Sequence, residues 1–443
     1  MTPWGDSNSL RGRRLRPGPG IPREEVEKNQ RERIYGAMVA CVAEKGYEQT
    51  TVGDLVEMSG VSSRTFYDLF DGRQECYLSA LEEMIQAALT YSASSVDEPA
   101  ARSEPADWAE LARPGFDAFA AMIASQPAAM RMGLIEAYVV GPTVTEPLER
   151  AVAGFEMLAR QTLSQSPERA DMPPELVTGH IGAMREIAST RLRQGREAEL
   201  PGMMDELWEL ISSYRPPPVA LRYSGRLPPR REESLEAHDH AERALRAFAV
   251  VVAEKGYRKT TVDDVVKRAA MSGTTFYANF DGKEDAMLAA IDSAGAQIVA
   301  AVTPAFGRGS DWPEAVRAGF GAMCNFLASR PALARLMMMA VYAAGPKAIE
   351  RRVEALRPLQ ELAAEGYERS PQTPLIVAEM VAGASYTLAY RQIRDKGPRA
   401  LPALAPICTY IALAPFIGAE EACAVANGDG RTRADLGPRG VEV

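Results

Sequence analysis

The stretch Ala43-Glu44-Lys45-Gly46-Tyr47, followed by Thr50-Thr51-Val52, Thr65-Phe66-Tyr67 and Phe70-Asp71-Gly72, occurs twice in this chain. Adding 210 to each number gives Ala253-Glu254-Lys255-Gly256-Tyr257, Thr260-Thr261-Val262, Thr275-Phe276-Tyr277 and Phe280-Asp281-Gly282, with no gap. A period of that length is too long for a solenoid unit and matches the size of a whole domain. The chain therefore reads as two copies of one thing.

The later parts of each copy repeat at a smaller offset. Trp108, Gly115-Phe116, Ser125, Pro127, Tyr138 and Gly141-Pro142 return 204 positions on as Trp312, Gly319-Phe320, Ser329, Pro331, Tyr342 and Gly345-Pro346. The drop from 210 to 204 places a six-residue deletion around residues 91–104. Leu200-Pro201 and Leu401-Pro402 continue the match at 201. Each copy is large enough to bury its own core.

With 443 residues, 46% hydrophobic and 25% charged, the composition is that of an ordinary globular chain of more than one domain. The sequence reads as having no run that approaches the roughly 20 apolar residues of a spanning helix, and Arg11-Gly12-Arg13-Arg14-Leu15-Arg16 lacks the apolar stretch of a secretory signal. The expectation is a cytoplasmic protein with no membrane partner. The five cysteines, Cys41, Cys76, Cys324, Cys408 and Cys423, are widely spaced and suggest reduced core residues rather than a disulfide framework or a metal knuckle. A net charge of −9 speaks against nonspecific coating of nucleic acid, but DNA binding depends on local patches.

Composition shifts divide the chain into a disordered Arg/Gly/Pro-rich arm (1–25), a compact helical domain (26–85), a helical regulatory domain (86–214), a Pro-rich linker (215–234), the second compact domain (235–295), the second regulatory domain (296–427) and a disordered tail (428–443). The fold class is all-α throughout. Ile34, Met38, Cys41 and Val42 fall on one helical face and Gly46 ends that helix; Leu245, Phe248, Ala249 and Val252 run to Gly256 in the same way. Thr50 or Thr51 can cap a short helix ending at Gly60, a third helix runs from Ser62 to Phe70, and a fourth opens after Asp71-Gly72. The remainder of each copy is rich in Ala, Leu, Met, Glu and Arg, broken by prolines.

Two short helices joined by a tight turn form a helix-turn-helix, whose second helix enters the major groove of DNA. Ser62, Ser63 and Thr65 supply short hydrogen-bonding side chains at its start. Phe66 and Phe70, four apart, should point inward, leaving Tyr67 outward with its hydroxyl free to reach a phosphate.

The pattern resembles the DNA-binding domain of the TetR family of bacterial transcriptional regulators, over residues 30–85 and 240–295. The resemblance implies that the third helix reads bases, while the Thr opening helix two and a basic residue opening helix four touch phosphate. The matching positions are Thr51, Ser62, Ser63, Arg64, Thr65, Tyr67 and Arg73 in the first copy, and Thr261, Ser272, Gly273, Thr274, Thr275, Tyr277 and Lys283 in the second. The His common in the family before the final Phe is Leu69 or Asn279 here. Beyond the motif, the helical remainder looks like the family's ligand-sensing and dimerisation region. Most members carry one such unit and pair as homodimers, so two units in one chain are a departure.

The resemblance makes the leading expectation a DNA-binding regulator, a repressor released from its double-stranded DNA operator by a small lipophilic effector. The competing reading is a helical ligand-binding or interaction module that has abandoned DNA. Candidate pocket residues are Trp108, Phe119, Met122, Met132 and Tyr138, then Trp312, Met323, Met338 and Tyr342, although Met-rich helices are more often adaptable core. No phosphate loop, nucleophile elbow or acid–base constellation is visible, no cofactor is called for, and the chain reads as no enzyme. His180 suggests a core or interface histidine; His238 and His240 share no helix face for a metal. Arg11, Arg13, Arg14 and Arg16 could serve as a minor-groove arm or simply be solvated. Small residues at Gly179, Gly182, Ala183, Ala382, Gly383 and Ala384 would let late helices approach closely. The copies are thus expected to pack as an intramolecular pseudo-dimer, with recognition helices about 34–36 Å apart; the alternative is a homodimer of chains.

Overall fold

The structure, a computed structural model of the chain, describes residues 2–15, 21–94, 108–228, 235, 237 and 239–429. Arg16, most of the stretch expected to carry the deletion, the end of the linker, His238 and nearly all of the tail lie outside the described residues. The fold is all-α: among the described residues no strand forms, only an isolated bridge between Thr2 and Gly5.

The first copy begins with α1 (Arg23–Gln49), α2 (Val52–Ser59), α3 (Ser63–Leu69) and α4 (Arg73–Ser94). It continues through α5 (Trp108–Ser125), α6 (Pro127–Arg131), a π-helical segment (Met132–Glu136), α7 (Ala137–Val140), α8 (Pro142–Ser164), α9 (Pro174–Arg193) and α10 (Leu200–Ser213). The second copy repeats the order with α11 (His240–Lys255), α12 (Val262–Ala269), α13 (Gly273–Tyr277), α14 (Lys283–Phe306), α15 (Trp312–Ser329) and α16 (Pro331–Arg335). A second π-helical segment (Leu336–Ala340) follows, then α17 (Val341–Ala343), α18 (Pro346–Gln360), α19 (Ala364–Arg369), α20 (Ile376–Lys396), α21 (Ala405–Ile417) and a last helix, α22 (Ala419–Asn427).

Two compact units emerge: Met1–Ser166 with Ala188–Trp208, and Pro167–Ile187 with Glu209–Val443. The expected regulatory domain 86–214 is therefore divided, its residues 167–187 and 209–214 belonging with the second copy.

In the first unit one apolar core runs from the compact domain into the following helices. Ile34, Met38, Val42, Leu55, Phe66, Phe70, Tyr77 and Leu81 pack in a single cluster with Met132, Ala137 and Val140. Burying each of the larger side chains contributes about 1.5–3 kcal/mol. The start of the chain departs from the expectation of a disordered arm. Ser7–Arg13 form a 3-10 helix opened by Asp6, whose carboxylate accepts from the Asn8 amide. Leu10 is fully buried in the core and the Trp4 ring lies 5.1 Å from that of Tyr35. Two large apolar side chains in an otherwise Arg/Gly/Pro-rich stretch are enough to dock it. Helix α1 starts at Arg23, before the expected Val26, and runs on to Gln49 across a kink at Gly46 (φ 78°), where the sequence predicted its end.

In the second unit, residues 174–187 lie against α20 and α21. Gly179 faces Ala384 and Ile411, Ala183 faces Gly383, and a Cβ on Gly182 would sit 2.2 Å from Thr387 Oγ1, so only glycine fits. The Tyr214 hydroxyl donates to the Ile411 carbonyl (2.7 Å) and the Tyr410 hydroxyl to that of Arg215 (2.6 Å). His180 is buried edge-on to Tyr214, ring centres 4.6 Å apart, as a core histidine. The linker is strapped to α22: the Arg222 amide donates to Asn427 Oδ1 (2.8 Å) and Asn427 Nδ2 to the Ala220 carbonyl (3.2 Å).

All five cysteines are buried thiols. The expectation that no stretch is apolar enough to span a membrane needs correction. Lys283–Phe306 and Pro398–Ile417 pass on length and composition, the second of them mostly buried inside the protein. An all-α core helix packed on several sides is apolar all round, which gives it the same composition as a membrane span.

Candidate nucleic-acid interface

Both compact domains are built by the same local devices. Thr51, not Thr50, caps α2: its hydroxyl accepts from the Asp54 amide (3.2 Å) while Asp54 Oδ2 accepts from the Thr51 amide (2.6 Å). Thr261 and Asp264 repeat this capping box at 3.2 and 2.9 Å. A lysine from the preceding helix clamps each acid, Lys45 to Asp54 at 2.7 Å and Lys255 to Asp264 at 2.6 Å. The lysine first, then the Thr51 hydroxyl and amide, hold the Asp54 carboxyl down to about 2. These interlocks orient α2 and α12 on the helices before them.

Ser62 caps α3 and Ser272 caps α13, each hydroxyl accepting from the amide three residues on at 3.0 Å. Each also pairs with the hydroxyl of Thr65 or Thr275 at 2.8 Å. Phe66 and Phe70, like Phe276 and Phe280, are buried. Tyr67 and Tyr277 point outward with 59% and 60% of their surface exposed. Ser63, Arg64 and Thr274 are exposed beside them and Gly273 is half-buried. Each third helix thus presents its expected polar side to solvent and its phenylalanines to the core. α13 is shorter than α3, and the Asn279 side chain bonds back to the Thr275 carbonyl (2.8 Å), while Leu69 packs on the core.

Arg73 and Lys283, the expected phosphate ligands, are partly exposed and also make contacts within their domains. The Arg73 guanidinium lies 4.1 Å from the Tyr47 ring centre and donates to the Glu48 carbonyl (3.2 Å) and that of Thr50. The Lys283 ammonium sits 4.5 Å from the Tyr257 ring centre and donates to its carbonyl (3.3 Å). Both staple the fourth helix of their domain to the turn before the second.

The candidate pocket residues lie in several settings. Trp108 is buried and stacks on Trp208 (5.3 Å), Met132 belongs to the first unit's core, and Tyr138 packs on that core with its hydroxyl donating to Glu149 (3.3 Å). Phe119, Met122 and Met323 are half-buried. Trp312 is buried with its indole N–H on the Leu362 carbonyl (3.0 Å). Met338 and Tyr342 are buried together near Tyr386, whose hydroxyl donates to the Met338 carbonyl.

Three charged groups escaped sequence reasoning. Glu136 is buried in the first π-helical segment and accepts from the Tyr47 amide at 3.0 Å, joining that segment to the end of α1; burial raises its pKa, opposed by that hydrogen bond. The Tyr77 hydroxyl adds a second bond there, to the Met132 carbonyl (2.6 Å). The second copy has Ala340 and Met287 in those places and neither bond. Arg258 and Lys259, exposed just before Thr261, replace Glu48 and Gln49. The second domain therefore gains positive charge at the foot of α12 where it loses Arg64 from the third helix. A lone acid inside the apolar run Leu134-Ile135-Glu136-Ala137 was the available signal for Glu136.

This arrangement, a capped helix pair with a polar outward face repeated in one chain, defines a duplicated helix-turn-helix DNA-binding regulator. The family model described as "Bacterial regulatory proteins, tetR family" matches residues 34–80 and 244–290. The chain thus carries two matches to the tetR family model in tandem, one in each compact domain. No curated protein matches the chain. Among solved structures it is similar to the fatty acid degradation regulator FadR from Bacillus halodurans, at 15% identity over 44% of this chain and 96% of that one, with a TM-score of 0.37. It is also similar to a TetR family transcription regulator from Marinobacter aquaeolei VT8, at 23% identity over 38% and 93%, with a TM-score of 0.31. A third is FadR from Bacillus subtilis in complex with stearoyl-CoA, at 17% identity over 40% and 97%, with a TM-score of 0.35.

Proposed function

We propose that this chain is a cytoplasmic, ligand-released repressor that reads one operator with both of its helix-turn-helix domains, its two copies pairing within the chain as a pseudo-dimer. The observation that carries the reading is the packing inside the second unit, where residues 174–187 of the first copy meet α20 and α21 of the second at glycine contacts. The resemblance puts the family's dimer-forming helices at these places, which supports pairing within the chain. Arg64 faces the first half-site where Thr274 faces the second, so the operator is only partly palindromic. Effector binding between the regulatory helices favours a conformation whose recognition helices no longer match the half-sites.

A gel-shift with the DNA upstream of the protein's own gene tests the reading. Binding that survives competitor DNA and is lost when Arg64 and Tyr67 are both changed to Ala supports it. Absence of any sequence-selective complex leaves the chain as a helical ligand-binding module.

A further inference from the structure

Arg352 on α18 is a buried guanidinium that its surroundings leave poorly matched. Only 5% of its surface is exposed, and its charge lies 3.9 Å from the Tyr386 ring centre and 5.4 Å from that of Tyr342. The carboxylate it faces, Glu186, stands 3.8 Å from Nη2, beyond the range of a short charge-assisted hydrogen bond. Nη1 is buried with no hydrogen-bond partner among the described residues. Glu186 is instead engaged by the Tyr342 hydroxyl at 2.5 Å. A buried fork of five donors that rests on two tyrosines and one distant carboxylate, with Nη1 left over, is a costly feature unless something else completes it.

The duplication shows that the fold does not require this feature. At the matching positions the first copy has Leu148 for Arg352, Tyr138 for Tyr342 and Arg185 for Tyr386. Arg352, Tyr342 and Tyr386 come together in the second copy alone, Glu186 is supplied by α9 of the first, and all four side chains lie in the second unit. The π-helical segment Leu336–Ala340, which carries Met337, Met338 and Met339, reaches the cluster through the Met338 carbonyl, and unbranched thioethers repack readily around an apolar guest. Irregular π turns inside helices recur at functional sites.

We propose that Arg352 anchors the carboxylate of an apolar organic acid, aided by Tyr342 and Tyr386, so that the second copy alone senses an acidic effector. The proposal rests on the effector-responsive reading above and names the chemistry of the effector. The acid's carboxylate takes the place of Glu186, forming the two-pronged pairing that Glu186 does not make. Its apolar body displaces methionine side chains. Glu186 sits on α9, so its release loosens a contact between helices of the two copies within the second unit. Tyr386 connects the guanidinium to the Met338 carbonyl, and the π-helical segment packs against α11, the first helix of the second DNA-binding domain. The anion therefore acts on the element that positions α12 and α13.

The test uses the full-length protein in calorimetric titration and thermal-shift assays with monocarboxylic acids from acetate to decanoate and benzoate, each beside its uncharged amide. The expected result is saturable binding of at least one longer or aromatic acid at one per chain, with the amide at least tenfold weaker. Glu186→Gln should tighten that acid several-fold by removing the competing carboxylate, and Arg352→Met should erase the difference between acid and amide. If Arg352→Met does not fold, the Glu186→Gln comparison decides. Equal binding of acid and amide, no binding of any acid by either the unmodified protein or Glu186→Gln, or two acids per chain overturns the proposal. A gel-shift in the same buffer keeps the two ideas apart: operator binding with no acid binding sinks only the acid site, whereas acid binding without operator binding sinks the regulator reading.

Discussion

Arg64 carries the main chemical difference between the two recognition helices. A guanidinium there can pair with the two acceptors on a guanine edge, and Thr274 at the matching place cannot. Arg64→Ala is therefore expected to cost about 1–3 kcal/mol of binding to the cognate site and to relax base preference in one half-site only. Tyr67→Phe should weaken all sequences alike; quantitative gel-shifts on operators changed one base pair at a time separate these outcomes. His180 makes a different kind of residue-level statement. Burial first, and then the positive charge of Arg169, lower its pKa to about 3, so the folded chain holds it neutral. Between about pH 6.5 and pH 3 the unfolded chain takes up a proton that the folded chain refuses. Stability is full above that window and falls through it by about 1.4 kcal/mol per pH unit. Urea unfolding across pH 6.5–4 should show this slope, and His180→Leu should flatten it; an unchanged slope would assign the acid sensitivity to other groups.

At the scale of elements, α2 and α12 end differently. Gly60 closes the first in a left-handed conformation (φ 67°), while Ala270 closes the second at φ 50° with a Cβ that disfavours that region. Ala270 is exposed, so Ala270→Gly relieves strain without opening a cavity. It should raise stability by about 1 kcal/mol, read as a higher thermal midpoint for the second domain, whereas Gly60→Ala should lower that of the first. Element identity was legible in the sequence because local signals agree: threonine and serine caps, Gly46 and Gly256 after apolar runs, and Phe66–Phe70 spacing each act within a few residues. The polar outward face of each third helix was legible for the same reason. What escaped involves partners far along the chain. Leu10 looked like part of a disordered arm because its burial depends on α1 and α2; the contacts of Arg73 with Tyr47 and the Thr50 carbonyl likewise arise only in the fold. Glu136 and Arg352 lay inside helical patterns whose buried faces no short window reveals.

For the whole molecule, duplication turns a problem of assembly into one of folding. Helices from both copies lie in the second unit at high effective concentration, so the helix contacts at Gly179, Gly182 and Gly383 need no second chain. Gly182→Leu places a branched side chain where Thr387 already stands, and it should cost about 1–3 kcal/mol and weaken operator binding even though no DNA-facing residue changes. A parallel urea titration and gel-shift would show both losses; an undisturbed operator affinity would separate that contact from DNA reading. Fusion also lets the halves diverge, as the Arg64–Thr274 and Leu148–Arg352 pairs show, which an obligate homodimer of identical chains cannot do. The mass of the protein–operator complex, measured by light scattering at micromolar protein on DNA trimmed to its footprint, tests the central claim most directly. One chain per duplex, protecting an imperfect palindrome, is the expected result; two chains on a symmetric site would contradict it.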